Sequence, residues 1–251
     1  MNILQSIILS IVEGFSEFLP ISSTGHLILT GELLRIPGSE FLKSFEIIIQ
    51  LGAILAVVVL YWKKLWGNFP LWKNIAIAFA PSIVIGLVFY DYIKASLLGN
   101  SLVVVWSLLL GGIVMIFFEK YFNGKKIAKF EAKHYLLIGI FQSFAMVPGV
   151  SRAMATIFGG MFVGMDRKRA TEFSFLLAIP TMFGATTLDL MKTSFSFTQT
   201  EVCLLLVGLV GAFVTALFTI KFLIKFVASH DFTGFGVYRI FLAIAHFILA
   251  A

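Results

Sequence analysis

The sequence predicts an all-α integral membrane protein with six transmembrane helices plus two re-entrant helical hairpins in an inverted-topology repeat. Three observations predict it. First, 59% of the 251 residues are hydrophobic and only 13% are charged, with a mean hydropathy of +1.00. Soluble domains have about 45–50% apolar and about 25% charged residues, and a water-soluble globule of this length has no interior large enough for the excess. Second, two long apolar stretches are interrupted by proline and a run of small polar residues. Third, the pattern recurs at an offset of 128 residues.

A span requires about 20 predominantly apolar residues. Six stretches qualify, at about 43–62, 74–93, 101–120, 170–191, 202–222 and 236–250. Polar punctuation separates them, including Lys63-Lys64, Asn123-Gly124-Lys125-Lys126 and Thr198-Gln199-Thr200-Glu201. The first segment carries Glu13 and Glu17 and lacks a basic start and a small-residue cleavage site, so a cleaved signal peptide is not expected. The single cysteine, Cys203, lies in an apolar run and excludes an internal disulfide.

Residues 2–35 are broken by Pro20 and Ser22-Ser23-Thr24-Gly25, and residues 134–165 by Pro148-Gly149 and Ser151-Arg152. Each half is too short to cross. Irregular backbone at membrane depth survives only where protein buries it or it lines a wet cavity. Both stretches are therefore expected to run in and return as hairpins. The offset that relates Pro20 to Pro148 also carries Phe45 onto Phe173, and the second and third spans onto the fifth and sixth. The chain then forms a single membrane domain, 1–251, with repeat one at about 1–122 and repeat two at about 129–251. One hairpin plus three spans returns the chain on the opposite side, so the second repeat is inverted, with a shared site near the midplane.

Charge gives the orientation. Loops 63–73, 120–134, 166–169 and 221–231 hold 13 of the 19 Lys and Arg residues, against Arg35, Lys43, Lys94 and Lys192 on the other side. The positive-inside bias puts the first set in the cytoplasm, both termini outside and the first hairpin entering from outside. The net charge of +6 then reports cytoplasmic loops, and no nucleic-acid partner is expected.

Ionisable residues inside a bilayer are costly and mark functional sites. They gather at the two hairpins. Glu13 and Glu17 are four apart, on one helical face. Such a pair holds a divalent cation or shares a proton, leaving one member as a general base. Beyond Pro20 stand Ser22, Ser23 and Thr24, then Gly25 and His26. Amides at such a helix start favour anions. Ser151 and Arg152 follow Pro148-Gly149, and an arginine matches phosphate oxygens with paired hydrogen bonds. Together these groups are equipment for phosphoryl transfer. Structural roles compete: an ion pair between the glutamates and Arg152, helix capping by the hydroxyls, and an interior histidine at His26. Glu46 is an auxiliary candidate, Glu172 a helix-start residue facing the cytoplasm, and Asp189 and Arg239 a structural pair across helices. Gly111-Gly112 and Gly159-Gly160 mark close helix packing.

The run Glu13-Gly-Phe-Ser-Glu-Phe-Leu-Pro-Ile-Ser-Ser-Thr-Gly-His26 resembles the first signature of the bacterial undecaprenyl-diphosphatase family, also called the bacitracin-resistance protein family. Pro148-Gly-Val-Ser-Arg152 resembles its second, and Phe45-Glu-Ile-Ile-Ile-Gln-Leu-Gly52 and Glu172-Phe-Ser-Phe-Leu-Leu-Ala-Ile-Pro180 are also similar. The resemblance runs essentially end to end. It implies a multi-pass enzyme of the bacterial inner membrane that hydrolyses undecaprenyl pyrophosphate to undecaprenyl phosphate and inorganic phosphate. That reaction recycles the lipid carrier for cell-wall synthesis and confers bacitracin resistance. The resemblance also implies a divalent cation, Mg²⁺ or Ca²⁺, and a site open to the periplasmic side.

Carried onto this sequence, the acidic pair falls on Glu13 and Glu17, with Glu17 also suited to act as base. The nucleophile falls on Ser23, the proton-transfer group on His26 and the pyrophosphate-binding arginine on Arg152. Ser22, Thr24, Ser151 and Glu46 are expected to contact substrate. The family usually continues its arginine signature with Ser-Gly, where this chain has Ala153 and Met154. Attack by Ser23 and attack by water both stay open, as does homo-oligomerisation. A lipid flippase or secondary transporter is the alternative, because inverted repeats with broken helices are also its architecture. A non-catalytic membrane receptor has no use for so many costly groups.

Overall fold

A computed structural model describes residues 1–92, 101–121, 127, 129–192 and 197–250. Among the described residues the regular structure is helical. In chain order the helices are α1 (Ile3–Ser16), α2 (Ser23–Leu33), α3 (Glu40–Leu65), α4 (Phe69–Tyr92) and α5 (Ser101–Tyr121). Then come α6 (Ala132–Ser143), a 3₁₀ turn (Phe144–Met146), α7 (Arg152–Phe162), α8 (Arg167–Lys192), α9 (Gln199–Phe226) and α10 (Thr233–Ala250). Starts are set by local chemistry. Asn2 and Gln5 form a capping box on α1, Ser39 caps α3, and Thr198 with Glu201 boxes α9.

By length and apolar composition α3, α4, α5 and α9 can cross a membrane. The other two predicted spans differ. Helix α8 has 26 residues, but Glu172, Ser174, Thr181, Thr186 and Thr187 dilute its apolar character. It packs on α3 and α7, and in the interior Ser174 meets Arg152 and Thr156 while Thr181 meets Gln142. Helix α10 has 18 residues and starts three positions before the predicted stretch. The outward faces are apolar throughout: Val88, Phe218 and Phe241 are each about 70% exposed. Contiguous apolar surface of this kind is stable against hydrocarbon and not against water.

The broken stretches fold as expected into short helix pairs, 14 and 11 residues in α1 and α2, 12 and 11 in α6 and α7. Helix α1 packs on α9 and α6 packs on α4, while α3 lies on α8 and α5 on α10. Close approach depends on small residues. A Cβ on Gly14 would lie 2.5 Å from the Ala212 carbonyl oxygen, and one on Gly139 would collide with that of Ala78. Gly112 abuts Gly236, and Gly159 and Gly160 abut Phe141 and Ala170, in line with the packing role expected of those pairs.

The two helix pairs enter from opposite ends of the bundle. At one end the Gln5 amide reaches the Leu34 carbonyl, joining the start of α1 to the end of α2, and Phe41 packs edge-on against Phe197. At the other end Phe130 and Tyr135, around the start of α6, meet Arg169 and Phe173 of α8. Ion pairs close that end: Lys64–Glu172 at 2.7 Å, and Arg167–Glu119, whose carboxylate also accepts from the Phe232 amide. Glu172 thus meets Lys64 and sits one turn further into α8 than a helix-start residue. Lys94, Lys125, Lys126 and Lys192 lie outside the residues whose side chains are described, and so does Asp189.

Candidate active site

The first turn runs from Glu17, the C-cap of α1, to Ser22, the N-cap of α2. Phe18, Leu19, Pro20 and Ile21 are buried in between. Ser22 has φ 74° and ψ 97°, a backbone region that a residue with a Cβ rarely occupies. Strain of this kind persists where the surroundings enforce it, commonly at functional sites. Its effect here is to aim the start of α2, and with it Ser23, back at Glu17.

The second turn follows from its sequence. Val147-Pro148-Gly149-Val150 closes with the Val150 amide on the Val147 carbonyl at 3.1 Å, and Gly149 has φ +91°. Proline followed by a glycine of positive φ is the type II pattern. Only glycine fits for a second reason: a Cβ at 149 would lie 2.6 Å from the Val104 carbonyl oxygen of α5. Ser151 then caps α7, accepting from the Met154 amide at 3.2 Å, and donates across to the Leu19 carbonyl at 3.4 Å. Ala153 and Met154, where the resemblance leads one to expect Ser-Gly, are buried in the core and do not line the site. The cap geometry tolerates the change.

Between the turns lies a cavity of about 160 Å³ lined by Glu17, Ser22, Ser23, Thr24, Ser151 and Arg152. Ser23 Oγ donates to Glu17 Oε2 at 2.5 Å. Arg152 Nη2 donates to Glu17 Oε1 at 2.9 Å, and its Nη1 to the Ser174 carbonyl at 2.9 Å. The arginine therefore fixes one carboxylate oxygen and leaves the other facing the hydroxyl. A hydroxyl, a carboxylate and a guanidinium that orients the carboxylate are in hydrogen-bond contact, which is the geometry expected of an activated hydroxyl. The ion pair and the catalytic constellation, weighed as alternatives in the sequence, coincide here.

Glu13 is fully buried, and no donor reaches either of its carboxylate oxygens. Glu17 and Glu46 are near enough to act on it electrostatically. A buried carboxylate without a donor must carry a proton or meet a cation. Among the described residues no group of three or more His, Cys, Asp and Glu side chains is placed to hold a metal. The unpartnered Glu13 oxygens are compatible with a hard cation held by Glu13 and Glu17, its shell completed by substrate oxygens and water. Glu46 is half-buried and does not line the cavity.

His26 is not among the cavity-lining residues. Its Nδ1 bonds to the Ser22 carbonyl at 2.7 Å and its Nε2 to the Tyr238 hydroxyl at 2.8 Å, with the rings stacked. Both ring nitrogens are committed away from Ser23. The guanidinium of Arg239 is held by backbone carbonyls of three segments, and its expected partner, Asp189, lies outside the residues whose side chains are described. Gln50 and Thr181 line the cavity and were not singled out from the sequence. The signals for Gln50 were a polar side chain in the apolar run of α3 and its place in the family-like stretch Phe45–Gly52. Ser174, which receives Arg152, stands at the 128 offset from Glu46.

Comparison with known proteins agrees with this geometry. Residues 6–245 match the family described as "Bacitracin resistance protein BacA". The chain is 51% identical to an undecaprenyl-diphosphatase of Aquifex aeolicus, over 96% of both chains. It is 50% identical to one of Sulfurihydrogenibium sp., over 99% of both chains. One of Bdellovibrio bacteriovorus is 46% identical, over 99% of this chain and 96% of the relative. With near-complete coverage at this identity, and both signature turns built into one cavity, the chain belongs to the BacA bacitracin-resistance protein family.

Proposed function

We propose that this protein hydrolyses undecaprenyl pyrophosphate, releasing inorganic phosphate and returning undecaprenyl phosphate to cell-wall synthesis. The observation that carries the proposal is the Ser23–Glu17–Arg152 constellation, assembled from two turns that enter the bundle from opposite ends. The named relatives act on the same substrate class.

In this mechanism the pyrophosphate occupies the cavity with its terminal phosphoryl group at Ser23. Glu17 Oε2 takes the hydroxyl proton as Ser23 Oγ bonds to the terminal phosphorus. The bridging P–O bond breaks, and undecaprenyl phosphate leaves with the bond's electron pair. Glu17 releases that proton to the medium, takes one from the water attacking the phosphoserine, and returns it to Ser23 Oγ as the Oγ–P bond breaks, leaving free serine and inorganic phosphate. If water attacks first instead, Ser23 and Glu17 orient it and no phosphoserine forms. Arg152 stabilises the equatorial oxygens, and the amides that open α2 and α7 add donors. A cation on Glu13 and Glu17 supplies charge neutralisation to the diphosphate. His26 supports the Ser22 carbonyl, and so the strained start of α2, rather than carrying the proton.

The chain is placed in the cytoplasmic membrane with six spans, two re-entrant hairpins and inverted repeats. Several features support this: the recurring succession of helices, the exchange of α1–α9 for α6–α4 contacts, and the 13 of 19 Lys and Arg residues that fall in loops expected on one side. The site opens to the periplasmic side and both termini lie outside. In a Cys203→Ser background, Gly38→Cys is labelled by an impermeant thiol reagent added outside intact cells. Labelling only after lysis would reverse the orientation.

The test of function is phosphate release from undecaprenyl pyrophosphate by purified protein, with and without a chelator, beside Arg152→Ala. Cation-dependent release that the variant loses is expected. Well-folded wild type that releases nothing with cation present would refute the hydrolase and bring forward lipid translocation, the other use of such repeats.

A further inference from the structure

Arg239 is fully buried in α10, and among the described residues no carboxylate pairs with it. Its guanidinium donates to four backbone carbonyls: Gly149 at 2.8 Å, Ser107 at 2.9 Å, Pro20 at 3.2 Å and Leu108 at 3.3 Å. One is in the first turn, one in the second, and two are in α5, on which Gly25 and Gly149 rest. Pro20 stands three residues before Ser23, and Gly149 three residues before Arg152. The same side chain therefore grips the backbone at equivalent places ahead of the nucleophile and the phosphate-binding group. The fold makes room for it at Gly111, where a Cβ would collide with Nη2 and lie 2.8 Å from Cζ.

Burying a guanidinium is expensive, and an apolar side chain would fill the volume more cheaply. Four carbonyls take four of its five N–H donors, but a lysine, with one nitrogen, cannot reach three separate segments at once. The other direct ties between the turns are the Glu17–Arg152 pair and the 3.4 Å contact of Ser151 with Leu19. Both involve residues that face the cavity. Arg239 is the tie that does not line it.

We propose that Arg239 is a positioning residue, which sets the separation of Ser23 and Arg152 by holding both turns against α5. The proposal rests on the hydrolase reading of the same site. The experiment compares kcat, KM and thermal midpoint for wild type, Arg239→Lys, Arg239→Met and Gly111→Ala. Gly234→Ala, where a Cβ meets open space, and Arg167→Ala, which breaks the ion pair at the end of the bundle, serve as comparators.

For a misplacement of the reacting groups, kcat falls about 100-fold in the Arg239 variants, lysine included, while KM changes less than about threefold. Gly111→Ala, which retains the arginine but crowds it, falls in the same direction. Arg167→Ala loses midpoint but keeps kcat within about threefold of wild type. The proposal is overturned if Arg239→Lys and Gly111→Ala both keep wild-type kcat. A rise in KM alone, or losses that merely track the midpoint as in Arg167→Ala, would overturn it too. Should the Arg239 variants not fold, Gly111→Ala decides. Wild type that releases no phosphate would instead remove the hydrolase reading.

Discussion

The first and second turns share an outline and divide the chemistry. Each breaks a helix at a proline, closes over a serine N-cap and restarts an 11-residue helix. Yet the first carries Glu17 and Ser23, and the second carries Arg152. At the 128 offset Glu17 faces Ala145, and Arg152 faces Thr24. The backbone device is duplicated and the side chains are not. Neither turn alone has both a base and a cationic clamp, so the site exists only where the two meet. The opposed entry of the helix pairs is what lets them meet in the interior.

The sharpest way to break this contrast is to treat the two serines alike. Ser23→Ala is expected to lower kcat by about 10³-fold or more, because it removes the group in contact with Glu17. Ser151→Ala, in the second turn, removes a cap and a long bridge to Leu19. It should lower stability by about 1 kcal/mol and kcat by less than tenfold. Equal losses of kcat in the two variants, measured by phosphate release, would erase the division of labour.

Between these extremes lies Glu13. Glu13→Gln keeps the shape and removes the charge whose oxygens have no donor. If that charge serves a cation, half-maximal activity will need about tenfold more Mg²⁺ or Ca²⁺, with activity recovered at saturation. A titration identical to wild type would mean that Glu13 is a buried acid with no metal role.

Much of this molecule was legible in the sequence because hydrocarbon and broken helices leave strong signals. Pro148-Gly149 announced a break in the helix, and the paired interruptions announced two helix pairs. The Glu17, Ser23 and Arg152 assignments came together in space. What could not be read was the direction of side chains at the ends of those turns. His26 is three residues from Ser23, yet its ring turns toward Tyr238, because helix α2 carries it off the cavity. The pairing of Arg239 with Asp189 falls on a residue whose side chain is not described, but the carbonyls that hold Arg239 could not be read either, since every residue has one and no sequence pattern marks them. Helix α8 fell short of span composition for a related reason: its polar residues serve an interior that only tertiary contacts define.

The most direct test of a site shared between the two turns is a double-mutant cycle on kcat with Glu17→Gln and Arg152→Lys, read alongside thermal midpoints. Acting as one unit, the two residues give a double variant that loses far less than the product of the single losses. Single effects that simply multiply would contradict the account, and the two turns would then be independent elements rather than halves of one reaction centre.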